Sequence, residues 1–256
     1  MVTIKYNGRF GNCLFQYFLG RIIAEEKGLQ LLPYDGQYSH LIDTELVKGN
    51  CYTPNYLLTD NSFNLNDILN DKTQMGYFLD GYFQKAEYFL PYKERIKKWL
   101  KFKQGAFIIP DIDDIAIHIR RSDFGWQQNA GMLPLSFYTN ILKDLNFNKL
   151  YIFGGCSHNN EQKDIDEQVI KYFEKYNPVY INYSATIDFQ MLMCFKRVIQ
   201  SMSTFCWWAT FLSDHANEIY TPITNGGYWD LNNPNINLRV NEERYIYIKN
   251  VNVEKW

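Results

Sequence analysis

The feature that most narrows what this chain can fold into is an alternation of strand-like and helix-like segments from residue 115 to about residue 221. Short runs rich in Ile, Val, Tyr and Phe predict strands at Ile115–Ile119, Lys149–Phe153, Val179–Asn182, Arg197–Gln200 and Glu218–Thr221. Between them, apolar residues at helical spacing predict helices at Leu135–Leu145, Glu161–Tyr176, Ile187–Phe195 and Phe205–Asp214. Parallel strands need crossovers long enough to hold a helix, so this rhythm implies a parallel sheet covered on both faces. The expected class is α/β, with ligands at the carboxyl ends of the strands.

The first hundred residues have a different texture. A strand is expected over Val2–Tyr6, followed by a polar turn, Asn7-Gly8-Arg9-Phe10-Gly11-Asn12, and a helix over Leu14–Lys27 stopped by Gly28. In that helix Leu14, Phe15, Phe18, Leu19, Ile22 and Ile23 share a face, and Gln16, Arg21, Glu25 and Glu26 take the other. Residues 35–70 are irregular; a short apolar piece, Gly76–Phe83, and a helical run, Glu87–Phe102, follow. The loop-like Lys103-Gln104-Gly105 and Pro110-Asp111 mark a boundary, giving domains 1–108 and 109–256. With 256 residues and 46% hydrophobic content, the chain can build one large core or two modest ones.

Composition removes several function classes. A formal net charge of -2 offers no field to hold a polyanion, so nucleic acid is not an expected partner. Five scattered cysteines without C-x-x-C spacing argue for reduced thiols in a cytoplasmic compartment. No apolar run approaches a bilayer span, and the N-terminus lacks the regions of a signal peptide.

Three segments carry candidate chemistry. Ile117-His118-Ile119-Arg120-Arg121-Ser122-Asp123-Phe124 is an apolar strand running into two arginines and an aspartate. It reads either as a buried Arg–Asp tie to a neighbouring helix or as a diphosphate clamp, since guanidinium forks match phosphate oxygens. Val198-Ile199-Gln200-Ser201-Met202-Ser203-Thr204-Phe205-Cys206-Trp207-Trp208 is a strand ending in hydroxyl residues before an aromatic helix. Ser203 or Thr204 fits the helix cap, and the free N–H groups there suit either an ordinary cap or a phosphate. The Gly8–Asn12 loop has similar geometry but matches neither nucleotide fingerprint. Asp111-Ile112-Asp113-Asp114 has D-x-D spacing in a Pro-containing connection and reads as a solvated turn. With no ligand-spaced histidines, no metal or cofactor is expected.

Taken in order, these segments resemble the alpha-1,2-fucosyltransferases of glycosyltransferase family 11. The resemblance also runs through Gly81-Tyr82-Phe83-Gln84, Tyr88-Phe89, Leu133-Pro134-Leu135-Ser136-Phe137-Tyr138 and Asp188–Met193, leaving residues 40–70 and about the last thirty uncovered. It implies a GT-B arrangement of two Rossmann-like domains, the donor held mainly by the second and the acceptor by the first. Arg120, Arg121 and His118 would then be donor-site residues, Ser203, Thr204 and Phe205 would close around the nucleotide, and Arg9, Gly11 and Asn12 would approach the reaction centre. Arg120 and Asp123 are the catalytic candidates, with Asp123 or His118 as base.

The implied partners are a GDP-sugar donor, GDP-fucose, and a galactose-type glycan acceptor, in a metal-independent inverting transfer. Cys13 replaces the family's usual Gln, Ser122 its Gly, and Cys206 its frequent Ser. Phe153-Gly154-Gly155-Cys156-Ser157 lacks the acidic residues the family carries there, which puts guanine recognition in question. Rival readings are a transferase using another GDP-deoxyhexose and a carbohydrate-binding protein without turnover.

Overall fold

A computed structural model of the chain describes residues 1–61, 63–103, 105, 108–121, 132–154, 166–225, 229 and 232–254. The chain divides into two compact units, Met1–Gln104 with Asn235–Val240, and Gly105–Pro234 with Asn241–Trp256.

In the first unit, β1 (Val2–Ile4), β2 (Ile42–Asp43), β3 (Pro54–Leu58), β4 (Gly76–Leu79) and β5 (Lys101–Phe102) accompany α1 (Phe10–Lys27), α2 (Leu65–Asn70) and α3 (Lys93–Trp99). A three-stranded sheet runs in the order β1-β4-β3, and both pairings are parallel. Helix α1 is buried from Phe10 through Ala24 except at Asn12. Gly28 ends it in a left-handed conformation at φ 61°, with its N–H turned back to the carbonyls of Ala24 and Glu25.

Three expectations for this unit need correction. Helix α1 begins at Phe10, so Gly11 and Asn12 lie in its first turn and not in a loop. Its presumed polar face is buried at Gln16 and Arg21, though not at Glu25 and Glu26: Arg21 is 6% exposed, bonds Glu25 at 2.8 Å and lies 4.6 Å over the Trp99 ring. The helical run at Glu87–Phe102 is broken into two 3₁₀ turns, Ala86–Tyr88 and Leu90–Tyr92, before α3, because Pro91 has no N–H to continue a helix.

In the second unit, β6 (Ile115–Ile119), β7 (Leu150–Gly154), β8 (Val179–Ile181), β9 (Arg197–Ile199), β10 (Glu218–Asn225) and β11 (Tyr245–Asn252) form one sheet. Its helices are α4 (Leu135–Leu142), α5 (Glu167–Phe173), α6 (Ala185–Met193) and α7 (Thr204–Leu212). Every neighbouring pair is parallel and the order is β11-β10-β9-β6-β7-β8. Counted from β6 as the first strand, this is the 3-2-1-4-5-6 order of a doubly wound, Rossmann-like sheet.

The sixth strand, β11, was not among the expected ones. Its Tyr245-Ile246-Tyr247-Ile248 run is the aromatic and β-branched composition that favours strands. Pro222 sits within β10 because that strand has little ladder to lose there. Pairing with β9 covers only Glu218–Tyr220, and the register against β11 shifts between Pro222 and Thr224.

The core of this unit is aromatic on the α6–α7 side of the sheet. Trp207 and Phe211 stack at 4.6 Å and 11°, and every residue of α7 from Cys206 to Leu212 is buried. Each fully buried side chain of that size contributes about 1.5–3 kcal/mol, so α7 is held in place by packing along its whole length.

Candidate functional site

Strand β6 lies directly beside β9, with Ile115↔Arg197, Ala116↔Val198 and Ile117↔Ile199 in register. From β6 the chain continues to β7 and β8 on one side, and from β9 to β10 and β11 on the other. This is the topological switch point, where crossovers leave in opposite directions and the carboxyl ends of the two strands flank a crevice. The two segments singled out in the sequence, around His118 and around Ser203, are therefore brought to one place.

His118 is the fourth residue of β6 and is 6% exposed. Its Nδ1 lies 2.6 Å from Oγ of Ser201, which is 1% exposed and follows the carboxyl end of β9. The Phe205 ring lies 5.6 Å from the imidazole at 31°, and Phe189 meets Phe205 edge-on at 5.2 Å. Gly154, at the end of β7, has φ +77°, and a Cβ there would come within 2.5 Å of the Ile119 carbonyl oxygen and 3.8 Å of His118 Nε2. Only glycine fits that position without strain.

The two arginines have different surroundings. Arg121 is 7% exposed; its Nη2 donates to Gln168 Oε1 at 2.9 Å and its Nε lies 3.2 Å from Asp166 Oδ2. Asp166 is the N-cap of α5 and accepts from the Gln168 N–H at 2.8 Å. Arg121 therefore ties the end of β6 to the start of α5, the structural alternative raised from the sequence. Arg120, half-buried, directly follows β6 at the switch point.

Helix α7 starts at the same end of the sheet. Ser203 is its N-cap, 4% exposed, but makes no side-chain capping bond, and its N–H donates to the Ser201 carbonyl at 2.9 Å. Thr204 and Phe205 form the first turn, which has no acidic residue. The positive end of this helix is thus oriented toward the carboxyl ends of β6 and β9. A thiol in a first helical turn would ordinarily be acidified, yet burial dominates and pushes the Cys206 thiol up, leaving it neutral and unreactive.

Asp123 lies outside the described residues, as do Ser122, Phe124 and Gly155-Cys156-Ser157. Arg9, Gly11 and Asn12 belong to the first unit. Arg9 is the exposed N-cap of α1, Gly11 is buried in the first turn, and Asn12 Oδ1 accepts from Gln84 Nε2 at 3.0 Å. Around them Gln16 accepts from the Asn7 N–H at 3.1 Å and donates to the Gly81 carbonyl at 2.9 Å. The Asp60 carboxylate accepts from the N–H groups of Tyr82 at 2.8 Å and Phe83 at 2.6 Å. These bonds hold the Gly81–Gln84 turn, in which Phe83 has φ 54°.

The D-x-D segment is a turn immediately before β6, at the amino end of the sheet, opposite the crevice. Asp114 is buried and accepts from the Asp111 N–H at 3.0 Å. Among the described residues no group of three or more His, Cys, Asp or Glu is arranged to hold a metal, and no helix is long and apolar enough to cross a membrane. Cys13, Cys51, Cys194 and Cys206 are free thiols.

Ser201, Gly154, Asp166 and Gln168 are not among the site residues expected from the sequence. The hydroxyl-rich end of β9 pointed toward Ser201; nothing local pointed to Asp166 or Gln168, which meet Arg121 only through the fold. No protein-family model matches the chain, and no curated protein matches it.

Proposed function

We propose that this chain transfers L-fucose from GDP-fucose to a hydroxyl of a galactose-type glycan, with inversion and an alpha-1,2 linkage. The observation that carries the reading is the adjacency of β6 and β9, which sets His118 and Arg120 beside the N-terminus of α7 at the switch point of a Rossmann-like sheet. A nucleoside diphosphate suits this end of the sheet, since a guanidinium and helix-terminal N–H groups are both donors to phosphate oxygens.

In the proposed reaction the acceptor oxygen forms a bond to the anomeric carbon as the bond from that carbon to the β-phosphate oxygen breaks. The acceptor proton passes to a base, for which Asp123 is the candidate, and GDP departs with the bonding electrons. Arg120 and the first-turn N–H groups of α7 stabilise the charge that develops on the diphosphate. Arg121 contributes by anchoring the end of β6 through Asp166 and Gln168. The resemblance assigns Arg9, Gly11 and Asn12 to donor binding, approaching the reaction centre from the first domain within a GT-B arrangement.

The test is mass spectrometry of products formed from GDP-fucose and galactose-terminated glycans in the presence of EDTA. A gain of one deoxyhexose supports both donor class and metal independence. Product only after manganese is restored overturns the metal-free mechanism, and product from another GDP-deoxyhexose alone reassigns the donor. Saturable GDP binding without any product identifies a binding protein.

A further inference from the structure

The three-stranded sheet of the first unit has two edges, and they differ. Beside β1 the edge is closed: the Val2 N–H donates to the Gln30 carbonyl at 2.8 Å, and Val2 and Leu31 form a parallel bridge. Beside β3 it is open. On a parallel strand the backbone groups of successive residues point alternately to the two sides. The Leu58 carbonyl accepts from the N–H of Asp80, just past β4, at 2.9 Å, so Leu58 faces β4 and Leu57 turns its N–H and C=O outward. Among the described residues no backbone group meets them. The side chains on the two faces are uncovered as well, Tyr56 at 48% exposure and Leu57 at 54%.

An edge of this kind is a template for another strand, and folded chains ordinarily blunt it with lysine or other charge. Residues 49–59 include no charged side chain. Pro54 opens β3 and Asn55 has no partner in its register, but both lie before Tyr56 and leave Leu57 untouched. The edge is complementary to itself about a two-fold axis at Leu57. Antiparallel pairing there lets each Leu57 exchange both backbone bonds with Leu57 of a second copy. It also sets Tyr56 opposite Leu58 of the second copy on the other face, an aromatic–aliphatic cross-strand pair. Each uncovered apolar side chain gains an apolar neighbour, and no like charges meet. An axis at Tyr56 would instead set Leu57 against the polar Asn55.

We propose that β3 is a homodimer surface, on which a second copy of this chain adds its own β3 antiparallel about an axis at Leu57. The two three-stranded sheets then form one six-stranded sheet, in the order β1-β4-β3-β3-β4-β1, and the contact is isologous, so assembly closes at two copies. This edge lies in the first unit and takes no part in the transferase reading.

The test has two arms, both on the full chain. In sedimentation equilibrium across a concentration series, the wild type should pass from the mass of one chain to that of two. Leu57→Lys places a charge against its own copy across the axis and should stay monomeric, with an unchanged thermal midpoint because the side chain is exposed. A wild type that remains monomeric throughout, or a Leu57→Lys variant that dimerises equally well, overturns the surface. The second arm fixes the register by oxidative cross-linking in a Cys51→Ser background, which removes the exposed native thiol. Residues facing one another in a hydrogen-bonded antiparallel pair have Cα atoms about 5.5 Å apart, within reach of a disulfide. Leu57→Cys should therefore give a covalent dimer. Tyr56→Cys, which would face Leu58 and not another cysteine, should give none. Cross-linking of Tyr56→Cys but not Leu57→Cys, or of neither, overturns the axis at Leu57.

Discussion

The junctions β1–α1 and β9–α7 have the same local design and opposite fates. Each leads from a parallel strand into a helix whose N-cap, Arg9 in one and Ser203 in the other, makes no side-chain capping bond. At the first junction the neighbouring polar groups satisfy one another: Gln16 joins Asn7 to Gly81, and Gln84 donates to Asn12. At the second, the strand sits beside β6 at the switch point, and His118 and Arg120 stand next to the helix start. A strand-to-helix turn becomes a candidate anion site through the order of strands in its sheet, which local sequence does not encode.

The contrast can be broken most forcefully at the arginine pair. Arg121→Ala leaves the half-buried Asp166 without its ion-pair partner and should destabilise the second unit by about 3 kcal/mol, read by urea unfolding. An unchanged midpoint would remove the tethering role. Arg120→Ala should instead leave the unfolding midpoint near wild type and reduce turnover by about 10²–10³-fold. If the two variants behave alike, the division of labour between neighbouring arginines fails.

Smaller effects sharpen the same comparison. Gly154→Ala forces a side chain into φ +77° against the Ile119 carbonyl and should cost about 1–3 kcal/mol, measured by thermal melting. Ser184→Ala removes a cap that accepts from the Ile187 N–H at 3.3 Å and should cost about 1 kcal/mol. Ser203→Ala, which removes no capping bond, should cost less than about 0.5 kcal/mol in stability while weakening GDP binding about threefold to tenfold. A Ser203→Ala variant that loses stability but keeps GDP affinity would make α7 an ordinary capped helix.

Much of the second unit was legible because its strands are short, apolar and separated by helices with clear periodicity. Ile115–Ile119 was found to the residue, and β7, β8 and β9 within one residue at either end. The first unit was less legible. Gln16 and Arg21 look like solvent-facing residues on a helical wheel, yet both are buried, Gln16 compensated by the distant Gly81 carbonyl and Arg21 by Glu25 one turn on and by the Trp99 ring. Pro91 announced a break that the apolar run around it concealed.

The sequence by itself determined the α/β class, the positions of most strands and helices in the second unit, and the two segments in which polar donors follow an apolar strand. Backbone periodicity and side-chain chemistry are local quantities, and a single chain displays them directly. Tertiary structure decided that β6 and β9 are neighbours, that β11 completes the 3-2-1-4-5-6 order, that Arg121 anchors α5, and that Ser201 meets His118. Those choices depend on strand pairing between distant segments, for which the sum of packing and hydrogen bonding over a whole sheet, and no single motif, sets the energy.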